Sequence, residues 1–138
     1  MSNVIIESIN NRYRDKIFKI KDGFVIKNEK GEVVSSVKYY EFDDIDNFDW
    51  ILICDMETVP EYRGRGYATR LLNKVYSEAI SRNKGVYLLV KEDNENAINL
   101  YKKLGFEKIK NQDIDKKRHI VMCKGNKDKQ QLLKMNFS

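Results

Sequence analysis

One change of hydrophobic period constrains this chain more than anything else in it. Trp50 to Cys54 is an unbroken apolar run of five residues that opens a strand extending to Val59. From Tyr67 to Asn83 the apolar positions change spacing: Ala68, Leu71, Leu72, Val75, Tyr76, Ala79 and Ile80 recur at the i, i+3, i+4 interval of an amphipathic helix. Gly85 reads as a stop, and Val86 to Val90 is again a short apolar run, as expected of a strand buried on both faces. A strand, a helix and a second buried strand imply two parallel neighbours joined by a right-handed crossover.

The flanking segments extend this unit into a mixed sheet. Val4 to Ile9 and Ile17 to Lys21 read as strands, with room for at most one helical turn at Asn10 to Asp15. Phe24 to Lys27 and Val33 to Tyr40 flank Asn28-Glu29-Lys30-Gly31, so they read as a hairpin. Asp43 to Asn47 reads as a polar loop. Asn94 to Leu104 is a second helix, with Ala97, Ile98, Tyr101 and Leu104 on its apolar stripe and Gly105 as its C-terminal stop. Phe106 to Ile109 and Ile120 to Cys123 close the sheet, with Lys110 to Arg118 as an exposed loop, and the tail from Gly125 has room for a short helix. The expected class is α+β, mostly antiparallel, in one domain over residues 1–138.

Composition narrows the function classes. No apolar run approaches the roughly 20 residues of a membrane-spanning helix, and the first residues lack a secretory pattern, so a cytoplasmic location is the default. Cys54 and Cys123 have no metal-ligand spacing and read as buried, reduced thiols; no metal is expected. The single histidine, His119, reads as a packing or surface residue. The net charge of +5 is uneven: residues 108–129 hold eight Lys/Arg against three Asp, while 41–49 hold five acids and no base. The basic segment lacks interleaved aromatics for base stacking, so nucleic acid is not the expected partner. The acidic run reads as a solvated face that would also attract a cationic amine.

Chemistry concentrates where the strand meets the first helix, at Arg63-Gly64-Arg65-Gly66-Tyr67-Ala68-Thr69. Amides at a helix start lack intrahelical partners, and the helix dipole favours an anion there. Glycines allow close approach and positive φ, and two arginines add charge suited to a pyrophosphate. The segment is neither a P-loop, since no Lys-Ser/Thr follows, nor a three-glycine dinucleotide fingerprint.

Arg63-x-x-Gly66-x-Ala68 resembles the acyl-coenzyme A signature of the GNAT superfamily of N-acetyltransferases. The block Asn94-x-x-Ala97-x-x-Leu100-Tyr101-x-Lys103-Leu104-Gly105-Phe106 resembles its second signature, at the family's separation. The resemblance covers roughly residues 50–109. It implies acetyl-CoA as co-substrate and a primary amine as acceptor, joined by direct attack. It implies main-chain amides of Gly64 to Thr69 around the pyrophosphate and the strand end Met56 to Thr58 along the pantetheine arm, splayed from Val86 to Val90. Asn94 matches a pantetheine contact and also reads as an N-cap. Tyr101 matches the tyrosine near the thioester sulfur, where a phenol protonates the departing thiolate.

Asp55 and Glu57 are the candidates for relieving the amine of its proton, and they share a face if the strand is regular. Cys54 as an acetyl carrier runs against the family's direct transfer. The region before Phe24 is shorter than the family pattern, so the acceptor side is open, completed by a homodimer partner, or shaped by the 41–49 loop. A coenzyme A-binding module without catalysis is the competing reading.

Overall fold

A computed structural model describes residues 15–42 and 47–136. The strand expected at Val4 to Ile9 and most of the 43–47 loop lie outside the described residues. The strands β1 (Lys16–Ile20), β2 (Gly23–Lys27), β3 (Val33–Glu41) and β4 (Trp50–Thr58) are followed by a 3-10 turn, Pro60–Tyr62. Helix α1 (Tyr67–Ser81), β5 (Gly85–Lys91), α2 (Glu95–Lys103), β6 (Glu107–Ile114), β7 (Lys117–Lys124) and α3 (Gln130–Leu133) complete the order. The seven strands form one sheet in the order β1-β2-β3-β4-β5-β7-β6. Every pairing is antiparallel except β4 with β5.

The β2–β3 turn closes as its sequence dictates: the Asn28 side chain accepts from the amides of Lys30 and Glu32, both at 3.0 Å, and Gly31 takes φ +79°. On one face of the sheet α1 and α2 cover a core of Phe24, Ile26, Val37, Ile51, Ile53, Val86 and Leu88. The buried residues of α1 include Leu71, Leu72, Val75 and Ala79, as its period demands. Ile80, expected on that stripe, is turned out to solvent. The helix is ended not by Gly85 but by Asn83, at φ +58°, with the amide of Lys84 bonded back to Ala79 O at 2.8 Å. Gly85 is the first residue of β5, and there a Cβ would stand 2.5 Å from the Trp50 ring.

The opposite face carries a second, smaller core of Phe48, Trp50, Tyr87, Val121, Cys123 and Leu132. The short helix α3 caps it: Trp50 Nε1 donates to Asp128 O at 2.9 Å, and Gln131 Oε1 accepts from the Asp49 amide at 2.9 Å.

Two further expectations fail. Lys110 to Arg118 is not a loop: β6 runs to Ile114 and β7 starts at Lys117, joined by Asp115 and Lys116 at φ 51° and 64°. Those angles define a two-residue turn whose twist suits a hairpin. An edge strand exposed along much of its length shows no apolar alternation, so the pairing left no hydrophobic mark. Cys54 is exposed rather than buried, whereas Cys123 is buried as expected.

The reason for the exposure of Cys54 is a β-bulge. Lys38 pairs with Asp55 but Tyr39 pairs with Ile53, so β4 carries one extra residue, Cys54. Ile51 and Ile53 point into the core beneath α1. Strict alternation would aim Asp55 and Glu57 into that same core, at the cost of burying two carboxylates. The bulge turns both acids out to water, and Met56 packs inward in their place.

Candidate active site

The parallel pair β4–β5 is in register only at Trp50, Ile51 and Leu52, opposite Gly85, Val86 and Tyr87. Beyond Leu52 the strands part, while β4 stays paired with β3 as far as Thr58. Beyond Leu52 no β5 residue pairs with the edge of β4, and at its end Thr58 O accepts from Arg63 Nε. A polar backbone edge of this kind calls for hydrogen-bond partners.

Two cavities open along the parting. An inner crevice of about 350 Å³ lies between Ile53 to Met56 of β4 and Leu88 to Lys91 of β5. An outer cleft of about 570 Å³ runs past Met56 to Pro60, Arg63 and Ala68 to Ala97 and Leu100 of α2. Both are walled by Met56, Asn94 and Tyr101, so these three residues mark where the cavities meet.

Asn94 Oδ1 accepts from the Ala97 amide at 3.2 Å, capping α2 while Asn94 also lines both cavities. The helix ends at Gly105, at φ +94°, and Phe106 N bonds to Tyr101 O at 2.9 Å. Phe106 is buried against the Tyr101 ring, with centroids 5.7 Å apart. Capping at one end and packing at the other fix the Tyr101 ring at the junction. Burial raises its phenol above the ordinary tyrosine range, so it holds its proton at neutral pH.

Asp55 and Glu57 share the outward face of β4, yet Asp55 opens on the inner crevice and Glu57 on the outer cleft. The Cys54 thiol also lines the inner crevice. Partial burial pushes it above the usual thiol range, with Asp55 and Asp22 adding to the effect.

The loop into α1 splits the two arginines. Arg63 lines the outer cleft, and its Nε donates to Thr58 O at 3.1 Å. Gly64 and Gly66 take φ +77° and +80°, and Gly66 is the N-cap of α1 with no side chain bonded to the helix start. Arg65 turns the other way: its guanidinium lies 4.4 Å from the Tyr62 ring centroid and donates to Glu61 O at 3.2 Å. Tyr67 is a core residue by its side chain, and its phenol donates to the carboxylate of buried Asp15. Partial burial and that carboxylate raise the Tyr67 phenol. Thr69 lies one residue beyond Ala68, half-buried in α1. His119 bonds through Nδ1 to Lys117 O at 3.0 Å. Asp15 and the pinning of Tyr62 were not legible, because their partners, Tyr67 and Asn28, lie 52 and 34 residues away in sequence.

The acetyltransferase (GNAT) family model matches residues 6–106. The chain belongs to the GNAT family. An uncharacterised N-acetyltransferase of Methanocaldococcus jannaschii is 33% identical over 91 residues, covering 63% of this chain and 40% of that protein. An acetyltransferase of Pectobacterium atrosepticum is 37% identical over 51 residues, 36% of each chain. The chain thus spans well under half of these curated relatives.

Among solved structures, the ribosomal-protein-S18-alanine N-acetyltransferase of Escherichia coli superposes with a TM-score of 0.64 at 18% identity, over 85% of this chain and 74% of that one. Ard1 of Thermoplasma volcanium gives 0.64 at 20% identity, over 90% and 79%. These likenesses show the fold, a mixed and mostly antiparallel sheet with one parallel pair. No helix among the described residues is long and apolar enough to cross a membrane, and no group of three or more potential metal ligands is found among them.

Proposed function

We propose that this GNAT-family chain moves an acetyl group from acetyl-CoA to a primary amine, by direct attack in a ternary complex. The observation that carries the reading is the meeting of two cavities at Met56, Asn94 and Tyr101, beside the unpaired edge of β4. The residues present fit the co-substrate. The β4 edge from Ile53 to Met56, beyond its pairing with β5, suits an extended arm bearing amides. The uncapped start of α1, its left-handed glycines and Arg63 suit a pyrophosphate.

Acetyl-CoA supplies an activated acyl group with a thiol as leaving group. Tyr101, protonated at neutral pH, is the group to hand that sulfur a proton. The acceptor has to shed a proton before it can attack, and Asp55 is the exposed carboxylate that opens on the inner crevice. Asp55 therefore serves as base or as the holder of a water that does so. Glu57, one step further out, acts on the cleft side. The raised Cys54 thiol is a poor nucleophile, which favours direct transfer over an acyl-enzyme.

The acceptor side suits a peptide amine or a flexible polyamine, because among the described residues β1 and β2 are joined by a two-residue turn with no helix between them. Neighbours of this fold include enzymes named for both classes, the S18-alanine N-acetyltransferase of E. coli and the spermidine/spermine N-acetyltransferase SpeG of Vibrio cholerae (TM-score 0.61, 21% identity).

The test is release of free thiol from acetyl-CoA against a panel of N-terminal peptides, lysine peptides and polyamines. Acceptor-dependent release that Tyr101→Phe lowers by roughly a hundredfold or more supports the proposal. Tight binding of coenzyme A with no release against any acceptor would favour the binding module instead.

A further inference from the structure

The motif arginine Arg65 does not line the cleft but forms the outer plate of a stack on the far side of the loop. Its guanidinium covers the Tyr62 ring at 4.4 Å, and that ring stacks on Tyr67 at 6.0 Å with 23° between planes. The stack is pinned at both rings. Asn28 Nδ2, from the β2–β3 turn, donates to the Tyr62 hydroxyl at 3.1 Å. The Tyr67 hydroxyl donates to the carboxylate of Asp15, which is 5% exposed, and Arg70 donates to Asp15 O at 3.0 Å. The loop that would meet a pyrophosphate, from Arg63 to Gly66, lies between Tyr62 and Tyr67 in sequence, so the two pinned rings bracket it.

That bracket matters because the loop has little else to hold it. Arg63, Gly64, Arg65 and Gly66 are all exposed, and a Cβ at either glycine would meet nothing within 4 Å. Glycines in open space are free to leave the left-handed region, and a loop that must be ordered on binding spends affinity on that ordering. Fixing the rings on either side fixes the take-off and landing of the loop.

We propose that Asp15, Tyr62, Tyr67 and Arg65 form a positioning clamp that pre-orders the Arg63–Gly66 loop for the acyl-donor pyrophosphate, with Asp15 as its buried anchor. The proposal rests on the reading of that loop as the coenzyme A phosphate site. None of the four is a catalytic residue, since each acts through the loop.

The test measures coenzyme A binding by calorimetry, and KM for acetyl-CoA separately from kcat, in the full chain. Tyr67→Phe and Asp15→Asn are each expected to weaken coenzyme A binding and raise KM by roughly five- to tenfold. The double variant should lose no more than the larger single loss, because both changes act on one shared bond. At saturating acetyl-CoA, kcat should stay within about twofold of wild type, as expected when only binding is lost. Tyr62→Phe keeps the stack but loses the Asn28 bond, so it should weaken binding less than Tyr62→Leu, which removes the ring as well.

Should Asp15→Asn not fold, Tyr62→Leu and Arg65→Ala, both changed near the surface, carry the test alone. Wild-type binding that Tyr67→Phe and Tyr62→Leu leave unchanged, with only the melting temperature lowered, overturns the clamp and leaves the phosphate-site reading standing. A wild-type chain that binds no coenzyme A removes that reading, and the clamp with it.

Discussion

The two halves of the β4–β5 pair are built from the same strands and behave oppositely. In the lower half, Trp50 to Leu52 and Gly85 to Tyr87 are hydrogen-bonded, and Trp50 and Tyr87 are fully buried beneath Phe48 and Leu132. In the upper half, the strands separate, β4 acquires a bulge at Cys54, and Asp55 and Glu57 face water. The lower half is a hinge-free base whose packing holds the two strands at a fixed spacing. The upper half has no β5 partner along its edge, and so retains room for a ligand. The packed base and the proposed acyl-donor edge thus divide along one strand, next to the bulge.

Substitutions can break that comparison. Trp50→Ala should have the largest effect on the fold, about 3–5 kcal/mol, because it empties the base of the pair and frees Asp128 O. Denaturant unfolding reads that loss. Gly85→Ala follows: its Cβ would meet the Trp50 ring at 2.5 Å and Lys124 O at 3.0 Å. Overpacking of this kind costs about 1–3 kcal/mol, and thermal unfolding should show it. Gly64→Ala in the upper half meets no atom but must hold φ +77°, so it should cost about 1 kcal/mol. That loss should fall chiefly on coenzyme A binding, measured by calorimetry.

The smallest effect near neutrality is that of pH. Burial, with Glu107 adding to it and Lys129 opposing, pushes the Cys123 thiol up to about 11 from an ordinary value of 9.0. The unfolded chain therefore loses this proton first, and stability is fully present below about pH 9 and declines as pH rises toward 11. The raised phenols of Tyr67 and Tyr101 add a further decline above about pH 10. A stability curve flat from pH 7 to 9 and falling beyond would agree. Cys123→Ala should remove the earlier part of that fall.

Much of this division was legible in the chain, and for stated reasons. The change of period at Tyr67 located α1, and Gly105 located the end of α2, because helix spacing and left-handed caps leave marks in single residues. The β6–β7 hairpin did not, because its turn, Asp115-Lys116, holds positive φ without glycine. The bulge did not either: an extra residue changes which face a side chain takes, not whether it is apolar. The orientation of Arg65 was invisible for a third reason, since its partner ring, Tyr62, is fixed by Asn28, 34 residues away in sequence.

Amide hydrogen exchange with and without coenzyme A tests the division most directly. Added coenzyme A should slow exchange in Ile53 to Thr58 and in the loop from Arg63 to Thr69, while Trp50 to Leu52 and Gly85 to Tyr87, already protected, stay unchanged. Protection that appears in the lower half or around α3 instead, with Ile53 to Thr58 unaffected, would contradict the assignment of the open half of β4 as the acyl-donor site.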